Sequence, residues 1–88
     1  DLNEAFRWYD KAARQGAADA QANLGLMYLQ GKGVKTDRVI AYAWLSAAAE
    51  KKIASAINNR AYVYGKLSAM EKKQAQQLAQ EYIKKYAP

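Results

Sequence analysis

The chain has no cysteine and no histidine. The first absence removes disulfides and thiolate metal sites, and it leaves the redox compartment open. The second removes the commonest metal ligand and the commonest general base. Proline occurs only as Pro88, so no interior segment is barred from helix. Apolar runs are short, and none nears the ~18 residues needed to cross a bilayer. The first residues lack the charged-then-apolar pattern of a signal peptide, and the first of them, Asp1, is not Met. Asp1 is therefore expected to mark a boundary, with any targeting signal upstream.

What remains is rich in alanine. Hydrophobic residues make up 51% of the 88, with seven tyrosines and two tryptophans among them. Such a composition favours helix throughout. This length is one domain's worth, or a piece of a longer protein, and a compact domain of this size buries roughly 60–65% of its unfolded surface.

The strongest internal signal is a repeat with an offset of 36 residues. Asp1 aligns with Asp37, Ala5 with Ala41, Trp8 with Trp44, and Ala12-Ala13 with Ala48-Ala49. Ala18, Ala20, Asn23 and Tyr28 continue the match to Ala54, Ala56, Asn59 and Tyr64. Alanine content explains some of these identities but not the paired tryptophans. Helical spacing accompanies the repeat: Leu2, Ala5, Trp8, Tyr9, Ala12 and Ala13 share a face, as do Ile40, Ala41, Trp44, Leu45, Ala48 and Ala49. Helices are expected at 2–15, 18–30, 37–51, 54–66 and 69–86. Asp1 with Glu4 and Ser68 with Glu71 have the capping-box form, Asp37 is a cap candidate, and Gly16 suits a left-handed helix end. Trp8 and Trp44 are expected in equivalent buried sites.

The stretch "DAQANLGLMYLQGKGVKTDRVIAYAWLSAAAEKK", residues 19–52, resembles the Sel-1-like repeat family, a tetratricopeptide-like branch of the helical solenoids. The residues that carry the resemblance are Ala20, Leu24, Gly25, Tyr28, Gly31, Gly33, Val34, Asp37, Ala41, Trp44, Ala48 and Ala49. It implies an all-α fold of antiparallel helix-turn-helix repeats, stacked as a short right-handed α-solenoid with a C-terminal capping helix. In that reading residues 1–16 are the second helix of a preceding repeat and 17–52 a complete repeat. Residues 53–67 are the first helix of a degenerate repeat and 68–88 the cap, at the C-terminal end of a longer array. The pattern departs from the family after residue 60: Arg60-Ala61 replaces Leu-Gly, no Gly-x-Gly-Val follows Tyr64, and Lys52 replaces a terminal glycine.

Gly25, Gly31 and Gly33 around Lys32 invite a phosphate-loop reading, which fails on spacing. A Walker-type loop allows one residue fewer than separates Gly25 from Gly31, and Gly33 stands where Ser or Thr should hold magnesium. The glycines are better read as a corner between helices, with Lys32 in solvent.

Most of the eight carboxylates lie near helix starts or beside cations, as in Asp10–Arg14 and Glu81–Lys85. No constellation for acid–base or nucleophilic work is visible, so no enzymatic activity, cofactor, metal or small-molecule substrate is expected. The net charge of +6 is read first as a solvated surface. Nucleic acid or another anionic polymer is the alternative partner, weakened by the lack of an aromatic platform in any recognised module.

By resemblance to tetratricopeptide grooves, the concave face is expected to present Asp19, Ala22, Leu26, Leu29 and Gln30 from one helix. Ser55, Asn58, Tyr62 and Lys66 are expected from the next. The function so implied is a non-enzymatic scaffold for a peptide or protein partner. Bacterial members of the family are often exported, which is consistent with a periplasmic or cell-envelope setting. Self-association through residues 1–16 is also expected, because Leu2, Phe6 and Tyr9 lack a preceding helix to cover them.

Overall fold

Helices begin and end where local chemistry places them. The structure, a computed structural model, describes all 88 residues and consists of five helices. They are α1 (Leu2–Arg14), α2 (Ala18–Gln30), α3 (Arg38–Glu50), α4 (Ala54–Lys66) and α5 (Ala69–Tyr86). The carboxylates of Asp1 and Asp37 accept the amides of Glu4 and Ile40, each at 3.0 Å, satisfying donors that a helix start leaves free. Ser68 and Glu71 form a full capping box: Glu71 N–H donates to Ser68 Oγ at 3.2 Å, and Ser68 N–H to Glu71 Oε1 at 2.9 Å. At Asp1 only the first half of the box forms.

The 36-residue repeat is present in the backbone itself. Gln15 and Lys51 end α1 and α3 with φ −90° and −96°, and Ala17 and Ile53 start α2 and α4 with φ −72° each. Between them Gly16 and Lys52 both take positive φ. The result is an all-α helical-repeat solenoid with no strand.

Helix α3 is the centre of the molecule. It packs against α2, α4 and α5, and Ala41, Ala43, Trp44, Leu45, Ser46, Ala47, Ala48 and Ala49 are buried. Small residues make this possible, since they let helix axes approach to the near end of ~8–10 Å. At Gly25 of α2 an added Cβ would lie 2.7 Å from Leu45 Cγ, so α2 and α3 meet too closely there for any larger residue.

One apolar cluster joins Leu45, Ala48, Ala56, Val63, Leu67 and Ala75; another joins Ala13, Ala20, Leu24, Trp44 and Tyr86. Helix α5 lies along α3 rather than along α4, the helix it follows. Its end reaches the α1–α2 corner, where Gln21 Nε2 donates to the carbonyls of Ala13 at 3.1 Å and Tyr86 at 2.9 Å. Tyr82 and Tyr86 cover Trp44, with ring centroids at 4.6 and 4.9 Å.

The two tryptophans are not in equivalent environments. Trp44 is 1% exposed, but Trp8 is 72% exposed beside Lys11, Ala12 and Gln15 of its own helix. The reason is position in the stack: α3 is covered on both sides, whereas α1 packs chiefly against α2. The expectation for the start of the chain changes likewise. Phe6 and Tyr9 are half-buried against the second cluster, with Phe6 edge-on to Tyr28 at 5.5 Å, so the uncovered apolar residues of α1 are Leu2 and Trp8.

The corner after α2 is as the spacing implies. Gly31 and Gly33 have φ of 70° and 76°, the left-handed region that side chains rarely adopt, and Lys32 is exposed. A Cβ on Gly33 would strike the carbonyl of Leu2, so this corner also packs on the start of α1.

Candidate functional site

Helices α2 and α4 present residues to the same side of the stack. Leu26, Leu29 and Gln30 recur at helical spacing on α2, and Asn59, Tyr62 and Lys66 do so on α4. Together with Arg38 at the start of α3 they line a groove of about 410 Å³. Leu26 and Tyr62 stand at matching repeat positions, as do Gln30 and Lys66. The groove is thus the repeat's own product: one helix face presented twice.

The apolar floor is Leu26, Leu29 and Tyr62. Leu29 also packs on the core cluster, whereas Tyr62 is 57% exposed. The Lys66 ammonium lies 5.4 Å over that ring, a cation–π contact that holds the aromatic face and the charge together. With Arg38 it makes the wall cationic, and no carboxylate lines the groove.

Five of the nine residues expected on this face therefore come together: Leu26, Leu29, Gln30, Tyr62 and Lys66. Asp19, Ser55 and Asn58 are exposed but lie outside the groove. Ala22 is 6% exposed and belongs to the core between α2, α3 and α4, so it offers nothing to a partner. Arg38 and Asn59 line the groove in addition to the residues expected there. Asn59 is one turn before Tyr62 and was open to the same periodicity, but Arg38 enters from a third helix, which spacing along α2 and α4 does not reveal.

A second polar cluster closes the α1 end of the stack. Arg14 Nε donates to both Asp10 oxygens at 3.1 Å, its Nη1 to Tyr86 Oη at 3.1 Å, and its guanidinium lies 5.8 Å over the Trp44 and Tyr86 rings. The hydrogen bond to Asp10 raises the Arg14 pKa further above its ordinary value. Burial raises the phenols of Tyr28 and Tyr82 above theirs. The arrangement ties the end of α5 to α1. The Glu81–Lys85 pair does not form; Lys85 lies 5.5 Å over the Tyr86 ring instead. No group of carboxylates is placed to hold a metal, and no helix is long and apolar enough to cross a membrane.

A helical-repeat stack with a groove across α2 and α4 defines a class of protein, and comparison with known proteins gives the family. The family model for the Sel1 repeat matches residues 1–16 and 18–52, and the chain belongs to that family. Sel1 repeat proteins are generally non-catalytic scaffolds for protein–protein interaction. The chitin synthase regulator SKT5 of Saccharomyces cerevisiae is 39% identical over 74 residues, which is 84% of this chain and 11% of that protein. Among solved structures, c5321, a protective antigen present in uropathogenic Escherichia coli strains and displaying an SLR fold, is 42% identical. It superposes with a TM-score of 0.95 over 100% of this chain and 19% of its own. The chain thus spans a small part of the length of either relative.

Proposed function

We propose that this chain is a peptide-binding scaffold whose partner lies in the α2–α4 groove and carries apolar anchors beside acidic residues. One observation supports the reading above others: Leu26, Leu29 and Tyr62 share an open groove with Arg38 and Lys66 and with no carboxylate. Exposed aromatic and apolar side chains supply contact energy, and the cations select against a basic partner. In this reading α1 is the second helix of a preceding repeat, and α2 with α3 a complete one. Helix α4 is the first of a degenerate repeat, and α5 is the cap.

Peptides selected from a random library on the immobilised domain test the proposal. Binding measured by calorimetry should weaken about tenfold or more in Tyr62→Ala and in Leu26→Ala, as for central interface residues. Selected peptides should be enriched in Asp or Glu next to Leu, Ile or Phe. The competing outcome is an electrostatic binder of nucleic acid or another anionic polymer. It would show affinity that collapses with added salt, through counterion release, and that ignores Tyr62→Ala.

A further inference from the structure

A second polar recess lies between α3, α4 and α5 and shares no residue with the groove. It is about 210 Å³ in volume. At its base is Ser46, which is 1% exposed and whose Oγ has no hydrogen-bond partner in the protein. Arg60 enters from α4, half-buried and with no carboxylate within ion-pairing distance. Gln76 and Gln80 of α5 and Tyr42 of α3 complete the polar wall. Gln76 Nε2 donates to Tyr64 Oη at 3.1 Å, and Tyr42 packs on the Tyr64 ring at 5.5 Å, so this wall is held in place from behind.

The recess arises from a break in the repeat. Arg60 occupies the position that Leu24 holds 36 residues earlier, and Leu24 is fully buried in apolar contacts. A leucine there would close the space with carbon. Arginine instead brings five fixed donors and a permanent charge to a site that also holds an orphaned hydroxyl. A half-buried guanidinium without a counterion is costly, and a buried hydroxyl without a partner adds to that cost. Both costs fall if an anion with several acceptor oxygens occupies the site.

We infer that the α3–α4–α5 recess is a carboxylate-binding site, with Arg60 gripping the carboxylate and Ser46 donating to it. The planar fork of arginine matches the two oxygens of a carboxylate. At ~30 Å³ per water, the space holds about seven waters, which suits a Glu or Asp side chain or a short free carboxylate and not a nucleotide. The glutamine amides can bond the remaining oxygen lone pairs without adding charge.

The test is a titration followed by amide and arginine side-chain NMR at constant ionic strength. The probes are glutarate, its neutral analogue glutaramide, inorganic phosphate, and the blocked peptide acetyl-Gly-Glu-Gly-amide. Glutarate or the peptide should shift the Arg60 Nε and Ser46 amide signals saturably, and glutaramide should not. A tighter response to the peptide assigns the site to acidic side chains of a partner; a tighter response to glutarate assigns it to a free carboxylate. Arg60→Gln should weaken the response about tenfold or more, as for loss of a charge-assisted bidentate pair. Arg60→Leu, which restores the repeat residue, should keep the fold and abolish the response, and Ser46→Ala should weaken it. Linear shifts spread over the lysines, binding unchanged in Arg60→Gln, or phosphate binding as tight as glutarate would each overturn the assignment.

Discussion

Lys52 takes the left-handed backbone position that Gly16 holds one repeat earlier, with φ of 65° against 93°. Both residues follow the last turn of a helix, and both donate their amide to the carbonyl of an alanine three residues back, Ala49 and Ala13. The chain turns into the left-handed region at both places, but only one has the residue suited to it. A side chain at positive φ costs roughly 1–2 kcal/mol through the clash of Cβ with the following carbonyl, and glycine's greater freedom when unfolded offsets part of this. Lys52→Gly should therefore stabilise the protein by about 0.5–1 kcal/mol in urea unfolding. A destabilised variant would mean that the exposed lysine side chain contributes a contact worth more than the strain.

The glycine corner should respond unequally to alanine. At Gly31 the added Cβ meets the Thr36 side chain, which can rotate, whereas at Gly33 it meets the Leu2 backbone and the Phe6 Cβ, which cannot. Gly33→Ala should therefore destabilise more than Gly31→Ala, and both more than Lys32→Ala. Lys32→Ala should stay within about 0.5 kcal/mol of the parent, as an exposed position does. Saturable ATP binding that disappears in Lys32→Ala would contradict the corner reading.

Truncating the tryptophans should separate them sharply. Trp44→Ala should cost about 3–5 kcal/mol, because a fully packed indole leaves a cavity under Tyr82 and Tyr86. Trp8→Ala should cost no more than about 0.5 kcal/mol, being a surface change. Thermal unfolding of the two variants beside the parent reads both values.

Exposed apolar residues at the end of a repeat stack seek another surface. Leu2 and Trp8 are 54% and 72% exposed, so weak association through α1 is expected at high concentration. Sedimentation should show it diminish in Trp8→Glu. A parent that stays monomeric at every concentration would rule it out.

Alkaline pH should loosen the contact between α5 and the rest. Burial, the largest cause at each site, raises the phenol pKa of Tyr28 and Tyr82 above the ordinary 10.0, and the Coulombic effect of nearby Arg14 opposes it at both. The folded state thus keeps these protons to higher pH than the unfolded chain does. Their contribution to stability is full below about pH 10 and is lost as pH rises through the folded values. Stability measured across this range should fall less steeply in the Tyr28→Phe, Tyr82→Phe double variant than in the parent.

The sequence by itself determined the helices and their corners, because caps, left-handed glycines and apolar spacing act within a turn or two of chain. Asp1, Asp37 and Ser68 cap where they stand, Gly31 and Gly33 turn the chain, and the repeat sets both inner-face pairs, Leu26 with Tyr62 and Gln30 with Lys66. Burial was decided by tertiary structure, since it depends on which neighbour is supplied and not on the residue. Trp8 and Trp44 have the same local sequence position, yet α5 covers one and nothing in the chain covers the other. Ala22 turned inward because α3 and α4 close over it, and Arg38 joined the groove from a helix that local periodicity does not connect to it. Arg60 is the clearest case. In sequence it marks a decayed repeat, and only the packing of α3 and α5 around it makes that decay a polar recess.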